Sequence, residues 1–231
     1  MITRLIPAVV AALVLPVVGL AQQKPADPLA SVPRLQAIAS GPGSELADVV
    51  ARFTTDQASL TRRYDAPDSP DQRRRMREFY SGWQTRLKEL DFDKMGQEGK
   101  VDYVLLNNYL VHQLALLDRS DRQRAEEAAL LPFADRLLAL QDSRRNLQNV
   151  DPRAAARTLS EVTKVVDSLR GQVDGPAGKA VSKTVANRAA DDLDQVRGTV
   201  RTWFRYYDGY DPIFSWWVKD PQGKLDEALT R

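Results

Sequence analysis

Apolar residues in this chain recur every three to four positions, and no useful length alternates every two. That periodicity is helical, because side chains at i, i+3, i+4 and i+7 share one face of a 3.6-residue turn. After Ser44 the stripe runs Leu46, Val49, Val50, Phe53, Leu60 and Tyr64. Ser69-Pro70 then gives a helix start, with a hydroxyl to cap it and a proline where a missing N–H costs nothing. Met76, Phe79, Tyr80, Trp83, Leu87 and Leu90 follow at helix spacing. A third helix is predicted after the loop Asp91 to Gly99, with Val101, Leu105, Tyr109, His112 and Leu116 on its buried side. A fourth is predicted from near Asp121 to Leu131, divided by Pro132 from a helix ending near Gln148. Asp151-Pro152 repeats the cap-plus-proline start for Leu159, Val162, Val166, Leu169 and Val173. Beyond a loop at Gly171 to Gly178, a last long helix carries Val185, Ala189, Leu193, Val196, Val200, Trp203 and Tyr207, stopped by Asp208-Gly209. The predicted fold is all-α, a multi-helix bundle or helical array.

The N-terminus reads as an address. Met1 to Arg4 is basic and Leu5 to Leu20 is apolar, with small residues before a cleavage point ahead of Gln22, so 1–21 is expected to be a signal peptide. Pro7 and Pro16 interrupt the apolar run, and no stable membrane anchor is expected after cleavage. Residues 22–43, rich in Ala, Pro, Ser and Gln, read as a flexible linker, and 44–231 as the helical domain. The expected location is periplasmic or secreted. There is no cysteine, so thiol catalysis, disulfides and cysteine metal sites are excluded. With 43% hydrophobic residues the chain can build a sizeable core. The net charge of +2, or +1 without Arg4, argues against nucleic acid as a partner. Arg73, Arg74, Arg75 and Arg77 fan around a helix and read as solvated surface.

Few residues suggest chemistry. Asp91 to Asp102 (DFDKMGQEGKVD) superficially matches a calcium loop but places Met95 and Glu98 where an oxygen ligand and an apolar residue belong. It reads as a connecting loop whose acids cap the next helix. His112 is the only histidine, and Gln113 after it breaks the His-Glu-x-x-His pattern, so it reads as a packed residue. No nucleophile elbow or phosphate-binding glycine loop is present. Glu126-Glu127 and Asp191-Asp192-Asp194 read as solvated ion pairs with nearby arginines. No catalytic residue and no metal ligand is assigned.

Eight of the seventeen aromatic residues (four Trp, seven Tyr, six Phe) fall between Trp203 and Trp217, around the turn Asp208 to Pro212. They are too many for one helix stripe. One reading of the cluster is a helix–turn–helix corner that closes the core. In the other, Trp203, Tyr207, Tyr210, Phe214, Trp216 and Trp217 are candidates for binding or an interface. A carbohydrate platform built on Trp203, Trp216 and Trp217 is an alternative, as is a metal-dependent peptidase or hydrolase using carboxylates and His112.

LDFDKMGQEGKVDYVLLNNYL (Leu90 to Leu110), RRYDAP (Arg62 to Pro67) and Thr184 to Pro221, with its YDGYDPIFSWWV pattern, resemble bacterial secreted proteins grouped as domain of unknown function 885. The likeness spans about Leu46 to Leu229. It implies a largely helical protein whose zinc motif, of the His-Glu-x-x-Pro-Gly-His type, belongs to a C-terminal half that has no counterpart in this sequence. No family residue therefore carries over as catalytic, and no cofactor is expected in this chain, with zinc confined to the other half. The resemblance implies a non-catalytic module that shapes a substrate cleft or binds a protein or peptide. Its partners would be that C-terminal half or a separate protein chain, with a peptide substrate. A truncated product is a version of the same expectation.

Overall fold

The computed structural model describes residues 28–39, 43–176 and 180–231. The expected signal peptide lies outside these, as do residues 22–27 and 40–42 of the expected linker and 177–179 of the loop before the last long helix. The described residues form α-helices and short 3-10 turns, with no strand among them. The α-helices are α1 (Ala47–Arg63), α2 (Pro70–Leu87), α3 (Gln97–Glu127), α4 (Ala134–Arg145), α5 (Pro152–Val173), α6 (Lys183–Tyr207) and α7 (Pro212–Thr230). The chain is all-α.

Two hydrophobic cores divide the molecule. In the first, Val49 and Phe53 of α1 meet Phe79, Tyr80, Trp83 and Leu87 of α2 and Leu106 and Leu110 of α3. Phe53 stacks on Phe79 at 5.4 Å between centroids and meets the edge of Trp83 at 5.2 Å. Within the segment expected as a linker, Pro28–Ser31 and Leu35–Ala37 form 3-10 turns, and Val32 and Leu35 are buried in this core. The packed unit therefore begins before Ser44. Single turns of this kind have no period for a sequence to display.

The loop before α3 does not cap itself as expected. Gly96 is the N-cap and offers no side chain; its N–H instead donates to Glu45 Oε1 at 2.8 Å, from the approach to α1. That bond holds the Glu45 carboxyl below its usual range. Gly99 lies so close that a Cβ there would clash with Glu45 Oε2. Asp102 accepts from the Ser44 hydroxyl, which in turn accepts the Leu46 N–H.

Helix α3 corrects two expectations. The predicted third and fourth helices are one, because no glycine or proline interrupts residues 100–131. Its buried side is also a different one: Gly99, Leu106 and Leu110 face the core, while Val101, Leu105, His112 and Leu116 face outward. Of the expected stripe only Tyr109, 38% exposed, keeps its ring against Phe53 of α1 and its hydroxyl on Gln57. His112 is exposed, not packed. The helix is apolar on both sides, so periodicity could not choose between them.

The second core is built by α4 to α7. Leu137 and Leu138, Leu159 and Val162, Val200 and Trp203, and Phe214, Val218 and Leu225 fill it. Helices α5 and α7 run in parallel, with Arg153 beside Trp217 at their starts and Arg170 donating to the Ala228 carbonyl at their ends.

Polar groups join the cores. The buried Asp142 of α4 sits over the N-terminus of α2, accepting the Ser69 hydroxyl at 2.7 Å and the Asp71 N–H at 3.1 Å. Ser69 simultaneously caps α2 through the Gln72 N–H. Asn146 donates to Asp71, and Arg145 donates to the Arg62 and Arg63 carbonyls at the end of α1. The arginine run expected as solvated surface takes part: Arg73 pairs with Asp135 of α4, and Arg77 with Asp118 and Asp121 of α3.

Removing Asp142 strands a buried hydroxyl and a backbone N–H at once. Asp142→Ala is expected to lower unfolding free energy by about 2–3 kcal/mol. Urea denaturation followed by circular dichroism checks this, and a change below about 0.5 kcal/mol would show the seam to be incidental.

Candidate functional site: the aromatic corner of α6 and α7

Asp208 to Asp211 reverses the chain between α6 and α7. Gly209 takes a φ of +79°, a conformation open to glycine at little cost. Asp211 caps α7, accepting the N–H groups of Ile213 and Phe214 at 2.9 and 3.0 Å, and Pro212 occupies the first helical turn. The Ser215 hydroxyl donates to Asp208 at 2.8 Å and accepts from the Gly209 N–H at 3.2 Å. Three side chains thus hold the turn from within.

The six candidate residues separate into two groups. Trp203 and Phe214 are 1% and 0% exposed and meet edge to face at 5.2 Å. Tyr207, half-buried, lies 4.8 Å from Phe214, and burial pushes its phenol up. These three close the second core. Tyr210 and Trp216 are each 83% exposed, and Trp217 is 38% exposed. Tyr206 and Ile213, which the candidates omitted, are exposed beside them. Their signal was present in the sequence: they flank the buried positions one residue out of phase with the inward stripe.

Two arginines rest on the rings. The Arg144 guanidinium lies 4.5 Å from the Tyr206 centroid and that of Arg153 lies 4.8 Å from Trp217. Trp217 opens a groove of about 500 Å³ between α5 and α7, lined by Arg153, Arg157, Ser160, Lys164 and Pro221. Arg153, Arg157 and Lys164 are exposed, and none of them is in an ion pair among the described residues. Glu161, which also lines the groove, is committed to Arg136 at 2.6 Å. Pro221, inside α7, has no N–H to return to the Trp217 carbonyl. The arrangement offers flat apolar rings beside uncommitted positive charge.

A second concavity, about 360 Å³, lies where the two cores meet, among Arg73, Arg124, Glu127, Asp135 and Asp192. Glu127 is 2% exposed and pairs with Arg188, which also holds Glu126 at 2.7 Å. The expectation of solvated ion pairs therefore fails for Glu127. Burial, and then the adjoining Glu127 carboxyl, push Asp192 up to about 6. Arg73 and Arg124 are both taken by Asp135. The cleft is a charge-paired seam.

Among the described residues no group of three or more His, Asp or Glu is placed to hold a metal ion, and no helix is long and apolar enough to cross a membrane. In the loop with the calcium-like spacing, Asp91 pairs with Lys94 at 2.7 Å and Asp102 serves Ser44. No protein-family model, curated protein or solved structure matches the chain.

Two outcomes follow. Trp203→Ala is expected to destabilise by about 3–5 kcal/mol through lost burial and a cavity, whereas Trp216→Ala changes stability by about 0.5 kcal/mol or less. Thermal melts of both variants check the division. Asp192, raised from 3.8 to about 6, keeps a proton in the native state that the unfolded chain has released. Its contribution is therefore fully present at low pH and fades as pH rises through that window. Asp192→Asn should match the parent near pH 4 and exceed its melting temperature increasingly up to pH 7. Parallel melting curves across this range would refute the assignment.

Proposed function

We propose that this chain is an exported, non-catalytic helical module that binds a peptide or protein segment through the α6–α7 corner and its adjoining groove. One observation carries the reading: Tyr210, Ile213, Trp216 and Trp217 stand exposed on a corner held rigid by buried rings and by the Asp208, Asp211 and Ser215 hydrogen bonds. Rigid aromatic residues presented this way lose little entropy on binding and supply the anchors that dominate interfaces. Arg153, Arg157 and Lys164 beside Trp217 favour an occupant with acidic and apolar side chains together. Export rests on the basic start, apolar run and small residues of 1–21.

The resemblance to domain of unknown function 885 supports the same reading. Under it the occupant is a segment of a metallopeptidase-like half, or of the peptide that such a half processes. The carbohydrate alternative loses support at two of its three residues, since Trp203 is buried and Arg153 covers a face of Trp217.

Selection from a random peptide library tests this. Enriched peptides are expected to be acidic and aromatic, and to bind at least about tenfold more weakly to Trp216→Ala/Trp217→Ala and to Arg157→Glu/Lys164→Glu. Undiminished binding by either variant would sink the proposed site. Stoichiometric zinc with chelator-sensitive peptide hydrolysis would sink the non-catalytic reading, and quenching of tryptophan emission by oligosaccharides alone would favour the glycan one.

A further inference from the structure

Helix α3 carries an outward stripe that the corner does not explain. Residues 103–117 (YVLLNNYLVHQLALL) contain no Asp, Glu, Lys or Arg in a chain that is 28% charged. Leu106 and Leu110 of that run are buried in the first core, with Tyr103, Leu114 and Leu117 packed against it. Val101, just before the run, and Val104, Leu105, Val111 and Leu116 within it are all exposed, Leu105 at 61%, with Asn108 and His112 between them. At 100° per residue, Val101, Leu105, Asn108, His112, Leu116 and Arg119 fall along one line. Isolated exposed apolar residues need no explanation, but an uncharged stripe about 24 Å long does.

The ends of the stripe identify its occupant. Glu98 closes it at the N-terminal end and Arg119 at the C-terminal end, on the same face; both are exposed and neither is in an ion pair among the described residues. A second α3 laid antiparallel, with a two-fold axis between Asn108 and Tyr109, sets Val101 against Leu116 and Leu105 against His112. The same register brings Glu98 against Arg119, twice. No segment of arbitrary sequence would match both the uncharged middle and the opposite charges at equal distances from its centre. We infer that this face is an isologous interface, on which a second copy of the chain packs α3 against α3 in antiparallel fashion. One helix face of this length covers less than the roughly 800 Å² per partner of a standard interface, so the dimer is reversible and concentration-dependent.

Sedimentation equilibrium of the purified protein over a concentration series tests it. A monomer–dimer equilibrium is expected. Leu105→Glu, at an exposed position that leaves the helix folded by circular dichroism, should raise the dimer Kd about 100-fold or more, because two charges enter the seam. Glu98→Arg and Arg119→Glu should each weaken association several-fold, and the two combined should restore it. Trp216→Ala, at the corner, should leave association unchanged, which separates this interface from the proposed peptide site. A protein that stays monomeric overturns the inference, whether another protein or the chain's own apolar leader then covers the stripe. So does a dimer indifferent to Leu105→Glu, or one in which the double charge swap fails to restore what each single swap loses.

Discussion

A single buried carboxylate determines how the two halves of this molecule meet. Asp142 projects from α4 onto the start of α2, where helix geometry leaves backbone N–H groups without partners, and it takes both the Ser69 hydroxyl and the Asp71 N–H. Burial raises its pKa, with the hydrogen bonds from Ser69 and Asp71 and the charge of Arg73 opposing that rise. Apolar cores would tolerate many relative orientations, whereas a buried acceptor with two fixed donors tolerates few. Around it, Asn146, Arg145 and Arg73 place the ends of α1 and α2 against α4.

The same logic extends along α3, which belongs to both halves. Its first turns rest on Glu45, its middle fills the first core, and its last residues, Glu126 and Glu127, reach Arg188 of α6. Charged contacts are concentrated at its ends. Between them lie fifteen residues with no formal charge, and these serve two surfaces, one inside the fold and one facing out. A helix that had only a single core to satisfy would carry polar residues on its outer side, as α1 and α2 do.

At the other end of the molecule, aromatic residues do two jobs within fifteen positions. Trp203, Phe214 and the half-buried Tyr207 complete the second core, and that burial gives the exposed Tyr210, Trp216 and Trp217 a rigid base. Arg144 and Arg153 lie over the adjoining rings, covering apolar area while leaving charge at the surface. The corner thereby presents apolar rings and positive charge side by side.

Helical class, most helix starts and the composition of the corner were legible in the residues alone. Ser69-Pro70 and Asp151-Pro152 begin helices where expected, because caps and prolines act locally. The stripes of α1, α2, α5 and α6 named their buried sides, except for Val173 at the end of α5, which is 44% exposed, since each of those helices is apolar on one face only. Three matters needed the tertiary structure. The side of α3 that is buried, the burial of Glu127 beside Asp192, and the division of the corner into inner and outer rings all depend on which distant element arrives where. A local sequence states what a residue is able to bury; only its neighbours in space decide whether that surface is in fact covered.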